Sequence, residues 1–193
     1  MRLVLATRNP HKLREFEALL APHDLLELSA DVKLPPETGE TFAVNAAIKA
    51  ETALAATGTA AIADDSGIEA AALGGAPGVR SARFAGEGAS DEANLAKLLI
   101  DVPAGSDRRV AYVCALAYAE PGGERMLFEG RCDGTLAPEP RGKGGFGYDP
   151  AFVPADRDDG RTMAELSPDE KDAISHRARA ARALVEWLGT EGR

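Results

Sequence analysis

The sequence predicts an α/β fold, a mixed sheet with flanking helices. Short apolar runs of strand length recur between residues 2 and 132, and segments of helical period separate them. The chain has 193 residues, 45% of them hydrophobic and 27% charged, which is long enough to bury a sizeable core. No internal repeat, low-complexity tract or clear linker interrupts residues 1–193, so they read as one domain, or one domain with a small lobe.

Residues 2–6 read as the first core strand. Thr7-Arg8-Asn9-Pro10 is a turn, because Asn and Pro both favour turns, and Pro10 suits the first turn of a helix. Leu13, Phe16, Leu19 and Leu20 recur at helical spacing, predicting a helix over residues 10–21. Residues 25–29 form a second strand and residues 35–39 a loop. Residues 41–57 are Ala-rich and helical, with Val44, Ala47 and Ile48 expected on the apolar side and Thr41, Asn45, Lys49 and Thr52 on a polar stripe. The strand over 60–63 ends in Asp64 and Asp65, Ser66-Gly67 reads as a turn, and 68–72 as a short strand. Residues 73–78 form a long turn, and residues 91–100 a helix with Leu95, Leu98 and Leu99 inward. Residues 110–119 and 125–132 read as a strand pair joined by Glu-Pro-Gly-Gly-Glu at 120–124, a hairpin signal. Residues 142–147 are a glycine-rich loop. Ser167-Pro168-Asp169-Glu170 is a capping box, and Ala178, Ala181, Leu184, Val185 and Leu188 mark a C-terminal amphipathic helix.

A net charge of −9 argues against general nucleic-acid binding, which needs a basic surface. A phosphorylated small molecule would then require a local positive pocket. No run approaches the ~18 apolar residues of a membrane span. The N-terminus is too short for a signal peptide, which favours the cytoplasm. Cys114 and Cys132 lie in apolar segments without metal-ligand spacing and read as reduced core residues.

Asp64 and Asp65 are the most informative pair. Two adjacent carboxylates leaving a core strand are costly to bury unpaired, and a divalent cation with bound water would resolve that cost and create a reactive centre. Glu37, in the loop before the Asn45/Lys49 helix, either caps that helix or is the second hard ligand of a cation shared with Asp65. The turn Thr7-Arg8-Asn9-Pro10-His11-Lys12 joins a strand to a helix N-terminus, an anion site in which Thr7 and Asn9 add hydrogen bonds and Lys12 a point charge. Gly142, Gly144 and Gly147 match G-x-G-x-x-G in spacing, but they come late in the chain and open no helix, so the dinucleotide fingerprint is rejected. The loop better suits a backbone presenting Phe146 to a flat ring, with Asp149 as an acceptor. Lys171, Ser175, His176 and Arg177 gather donors able to read carbonyl oxygens on a base. No G-x-S-x-G elbow supports a serine hydrolase, and no P-loop pattern is present.

The stretches LATRNPHKLREFEALL, ETGETFAVNAAIKA, AIADDSGIEAAALGGAPGVRSARFAG, GKGGFGYDPAFVP and AELSPDEKDAISHRARA run in that order from residue 3 to about residue 180. Together they closely resemble the inosine/xanthosine triphosphate pyrophosphatase family, hydrolases that clear non-standard purine nucleotides from the nucleotide pool. The resemblance implies hydrolysis of ITP, dITP and XTP to the monophosphate and pyrophosphate. It also implies Mg²⁺ dependence, two lobes around a central substrate cleft, and a homodimer, with no nucleic-acid or membrane partner. By resemblance Thr7, Arg8, Asn9, Pro10, His11, Lys12 and Lys49 hold the triphosphate, and Glu37 and Asp65 serve the metal. Asp65 accepts a proton, Ser66 contacts substrate, and Phe146, Gly147, Tyr148, Asp149, Lys171, His176 and Arg177 hold the base. Arg8 and His11 depart from a common family form that has glycine at both places; Arg8 is then a candidate further phosphate contact. Lys171 and Arg177 only donate, so they suit the 6-oxygen of hypoxanthine or xanthine and leave adenine's amino group unmatched. The rival readings are a pyrophosphatase for other modified or pyrimidine nucleotides, and a nucleotide sensor without turnover.

Overall fold

The computed structural model describes residues 1–123 and 125–191. Glu124 of the predicted hairpin turn lies outside the described residues. Six strands form one mixed sheet: β1 (Arg2–Leu5), β2 (Asp24–Glu27), β3 (Ala61–Ala70), β4 (Arg109–Ala119), β5 (Arg125–Leu136) and β6 (Phe152–Pro154), in the order β2-β1-β3-β4-β5-β6. β1 runs parallel to both β2 and β3, with Val4 opposite Ala61 and Leu5 opposite Ile62, while β6 is antiparallel to β5. The helices are α1 (Pro10–Leu19), α2 (Phe42–Thr57), α3 (Asp91–Asp101), α4 (Pro168–Ile174) and α5 (His176–Glu191). The predicted mixed α/β sheet is thus observed, and no helix among the described residues is long and apolar enough to cross a membrane.

The chain divides into two compact units. The first comprises Met1–Asp65, Cys114–Gly130 and the chain from Arg177 onward; the second comprises Ser66–Val113 and Arg131–His176. Each has its own core. The first packs Leu3, Leu5, Phe16, Ile62, Leu116 and Leu184, with Trp187 set edge-on to Tyr118 at 5.2 Å. The second packs Ile68, Leu98, Val110, Tyr112, Phe152 and Met163.

Local signals explain most of the elements. Asn9 caps α1, accepting from the His11 and Lys12 N–H groups, with Pro10 at the first helical position. Thr41 caps α2 through Val44 N–H, and Gly58 ends it in the left-handed conformation (φ 65°). Ser167 and Glu170 form the predicted capping box of α4.

Two expectations fail. Ser66-Gly67 is no turn, and β3 runs through it without a break. A β-carbon on Gly67 would stand 2.4 Å from Ser81 Oγ and 2.6 Å from the Gly78 carbonyl, so this glycine serves a close approach rather than a reversal. The other failure is the orientation of α2. Val44 and Ile48 are 46% and 38% exposed, whereas Asn45 and Lys49, on the expected polar stripe, are buried. Hydrophobic period assigns the inward face only when polar groups have no buried partners, and here they have them.

Candidate active site

The first unit holds a cluster of charges around the end of its segment of β3. Ile62 and Ala63 lie in the core, and the strand delivers Asp64 and Asp65 as buried side chains. A buried carboxylate must be paired, and both are. Lys12, in the first turn of α1, places Nζ 2.8 Å from Asp64 Oδ2. Arg177, at the start of α5 and almost wholly buried, sits 3.6 Å from the same oxygen and also pairs with Glu15 of α1. Burial alone would raise the Asp64 carboxyl, but Lys12 and Arg177 outweigh it and hold it far below the carboxylate range.

Asp65 is served by α2. Asn45 Nδ2 donates to Asp65 Oδ2 at 2.9 Å, and Lys49, one turn later on the same face, stands 3.4 Å from Oδ1. Lys49 Nζ also donates to Glu37 Oε1 at 2.7 Å. Gly39 N–H donates to Asn45 Oδ1 at 2.8 Å, tying the Glu37 loop to the helix, and a β-carbon on Gly39 would come within 2.6 Å of that oxygen. Burial, reinforced by the negative charge of Glu37, pushes the Asp65 pKa up despite the attraction of Lys49. Burial also works to raise Glu37, but there Lys49 prevails and the net direction is down. Lys49 is raised: burial opposes its charge, and Asp64, Asp65 and Glu37 together overcome that.

The remaining residues of the first turn have other work. Thr7 Oγ1 accepts from Asn9 N–H at 3.2 Å. The Arg8 guanidinium donates to the carbonyls of Leu28, Ser29 and Val32 at 2.6–2.7 Å, so it straps residues 28–32 to the turn. His11 is exposed, beside Arg14 at 2.9 Å. No residue other than glycine has positive φ among the described residues, so Arg8 and His11 are accommodated without backbone strain.

The second unit gathers the aromatic and donor residues. Asp149, buried, accepts from Lys171 Nζ at 2.7 Å, Tyr112 OH at 3.0 Å and Phe146 N–H at 3.0 Å. The Lys171 ammonium lies 5.1 Å from the centre of the half-buried Phe146 ring. His176 stacks on Tyr112 with centroids 4.6 Å apart and planes 12° apart, and Tyr112 stacks in turn on Phe152 at 4.4 Å. The loop is fixed through glycine. A β-carbon on Gly145 (φ 68°) would strike Asp149 Oδ2, and Gly147 N–H donates to Asp91 Oδ2 at 2.8 Å. Tyr148 is buried, its hydroxyl donating to the Ser81 carbonyl at 2.7 Å. Ser66, half-buried, follows Asp65 on β3.

The structure brings together Lys12, Glu37, Lys49 and Asp65 in the first unit, and Phe146, Asp149, Lys171 and His176 in the second. Arg177, expected with the base-holding residues, has its ion-pair partners Glu15 and Asp64 in the first unit. Sequence reading misses Glu15, Asn45 and Tyr112 as members of these clusters. Asn45 had a signal, its i,i+4 spacing from Lys49; Glu15 and Tyr112 had none.

A model of the Ham1 family matches residues 3–187. The chain belongs to the Ham1 family. It is 48% identical over 197 residues to a dITP/XTP pyrophosphatase of Geobacter sulfurreducens, covering 99% of this chain and 98% of that one. It is 50% identical over 193 residues to a dITP/XTP pyrophosphatase of Symbiobacterium thermophilum, covering 97% and 94%. Among solved structures, a HAM1 protein from Coxiella burnetii superposes with a TM-score of 0.89 at 41% identity, over 98% of this chain and 99% of that one. The Ham1 protein of Staphylococcus aureus does so with 0.88 at 40%, over 99% and 100%. This Ham1 family member, with its six-stranded mixed sheet and flanking helices, shares their fold.

Proposed function

We propose that this protein hydrolyses dITP, ITP and XTP to the nucleoside monophosphate and pyrophosphate, removing non-standard purine nucleotides from the pool. The observation that carries the reading is the Lys49 bridge between Glu37 and Asp65, in a chain 48–50% identical to proteins named dITP/XTP pyrophosphatase.

Among the described residues no group of three or more His, Cys, Asp or Glu side chains could hold a metal unaided. That suits Mg²⁺, which binds through one or two carboxylates and takes its other ligands from water and substrate phosphates. Glu37 and Asp65 offer hard oxygens, and both already reach one cation, Lys49. They are the residues that would hold Mg²⁺, which when bound would neutralise charge on the phosphate oxygens.

The protein's own groups supply the rest. Asp65, oriented by Asn45, takes the proton of the water that attacks the α-phosphorus. The new bond is from that water oxygen to phosphorus; the bond that breaks joins phosphorus to the bridging oxygen of the departing pyrophosphate. Lys12 and Lys49 stabilise the charge gathering on that leaving group. Asp64 holds Lys12 in place. In the second unit Phe146 offers a face to the purine. Lys171 donates to a 6-oxygen, and adenine's amino group would meet it donor to donor.

The test is pyrophosphate release from ITP, XTP, dITP, ATP and GTP, with Mg²⁺ and with EDTA. Fast release from the first three in Mg²⁺, lost in EDTA, is expected. Binding without release would identify a sensor instead, and fastest release from a pyrimidine nucleotide added to the panel would identify a differently tuned pyrophosphatase.

A further inference from the structure

Four of the six residues 142–147 are glycine, so the loop that carries Phe146 has much backbone freedom to lose and few side chains of its own to fix it. Acceptors from other segments hold its N–H groups. Gly144 N–H donates to the Ala164 carbonyl at 2.9 Å. Phe146 N–H donates to Asp149, which also takes Lys171. Gly147 N–H donates to Asp91 Oδ2, a carboxylate 56 positions away. Gly147 has φ 61° and open space where a β-carbon would stand, so backbone conformation and not room requires glycine there. Asp91 is a firm anchor for such a bond. It opens α3, whose Leu95 and Leu98 are buried in the core of the second unit. Asn94, also buried, accepts from Ala85 N–H at 2.8 Å and donates to the Ala82 carbonyl at 3.2 Å, fixing the segment before the helix. Tyr148 donates to the Ser81 carbonyl, so the loop docks on that segment and on α3 together. An acid in a first helical turn ordinarily faces the positive end of the helix. Glu92 is placed to do that as well as Asp91, but its hydrogen bonds are with Ser90 and its own backbone, whereas Asp91 receives the loop.

We propose that Asp91 is a positioning residue for base recognition: by holding Gly147 N–H it sets the Phe146 ring beside Lys171, where a flat purine would stack. The inference rests on the proposed function and deepens its account of the base. Phe146 adjoins the tethered residue, and its ring centre lies 5.1 Å from the Lys171 ammonium. Releasing Gly147 would lower the fraction of molecules whose loop stands ready, and apparent affinity falls by that fraction. The groups assigned to bond cleavage belong to the first unit, and Asp91 to the second. KM should therefore carry the effect and kcat should not.

Steady-state kinetics on ITP in Mg²⁺ and amide hydrogen exchange of the substrate-free protein by NMR test it together, on the wild type, Asp91→Ala, Asp91→Asn and Glu92→Ala. Both acids are exposed and the Ser90 cap of α3 stays in place, so the helix should persist in every variant. Asp91→Ala should raise KM at least ~5-fold, keep kcat within ~2-fold, and speed exchange of the Gly147 amide at least ~5-fold. Asp91→Asn keeps a neutral acceptor and should recover most of both losses. Glu92→Ala removes the neighbouring acid of the same turn and should change neither. Equal losses in the two alanine variants would reduce Asp91 to a helix-end charge and overturn the proposal. So would faster exchange with an unchanged KM, unchanged exchange, or a loss confined to kcat. A wild type without preference for ITP over ATP would overturn the proposed function instead, and Gly147 exchange would still decide whether Asp91 holds the loop.

Discussion

The two clusters solve opposite problems. In the first unit four carboxylates, Glu15 of α1, Glu37 of the loop before α2, and Asp64 and Asp65 of β3, are laced together by Lys12 of α1, Lys49 of α2 and Arg177 of α5. In the second, one carboxylate, Asp149, meets one ammonium, Lys171, with a phenol and a backbone N–H completing its shell and aromatic rings stacked around it. A network dense in both charges suits a highly charged group undergoing bond cleavage, since its positive members are held in advance of substrate. A single ion pair among aromatic rings suits a flat, neutral base. In the proposed function, chemistry and recognition fall to residues of separate units.

That division can be broken first at Arg177, the most buried of these cations. Arg177→Met would remove a buried cation that pairs with both Glu15 and Asp64, leaving Asp64 with Lys12, and should cost ~3–5 kcal/mol in denaturant unfolding. Lys171→Met should cost less, ~1–3 kcal/mol, because Asp149 keeps Tyr112 and Phe146 N–H as donors. Equal losses would mean the second cluster is as dependent on its cation as the first. In turnover, Asp65→Asn should lower kcat at least ~10²-fold while leaving the fold intact; near-normal turnover would remove Asp65 from the reaction. Lys171→Met should narrow the preference for ITP over ATP by ~10-fold, the value of one mismatched buried donor. The smallest effect concerns Cys114, on β4 in the first unit. Burial first, and then the negative charge of Asp64, push its thiol up to about 12. It should resist alkylation at pH 8 in the folded protein and react on unfolding, as read by mass spectrometry; rapid labelling of the native protein would show the core around it to be open.

What the sequence disclosed followed the range of its interactions. Strands, caps and the Asp64/Asp65 pair were legible because their signals lie within a few residues: an apolar run, Pro10 after Asn9, the Ser167 box. The inward face of α2 was not, because what buries Lys49 and Asn45 comes from 12, 16 and 20 positions away. The Glu15–Arg177 pair spans 162 positions, and family resemblance placed Arg177 beside the base while geometry places it beside Asp64. The partners of Arg8 were likewise hidden: the carbonyls of Leu28, Ser29 and Val32 carry no side-chain signature at all. Ser66-Gly67 looked like a turn because glycine marks reversals and close approaches alike, and only the position of Ser81 separates the two.

The most direct measurement is the ratio of kcat/KM for ITP to that for ATP, in Mg²⁺, for the wild type, Asp65→Asn and Lys171→Met. The account predicts that Asp65→Asn lowers both values by a common factor and leaves the ratio unchanged, while Lys171→Met collapses the ratio. If Asp65→Asn alters the ratio as much as Lys171→Met does, chemistry and base recognition are not divided between the two clusters.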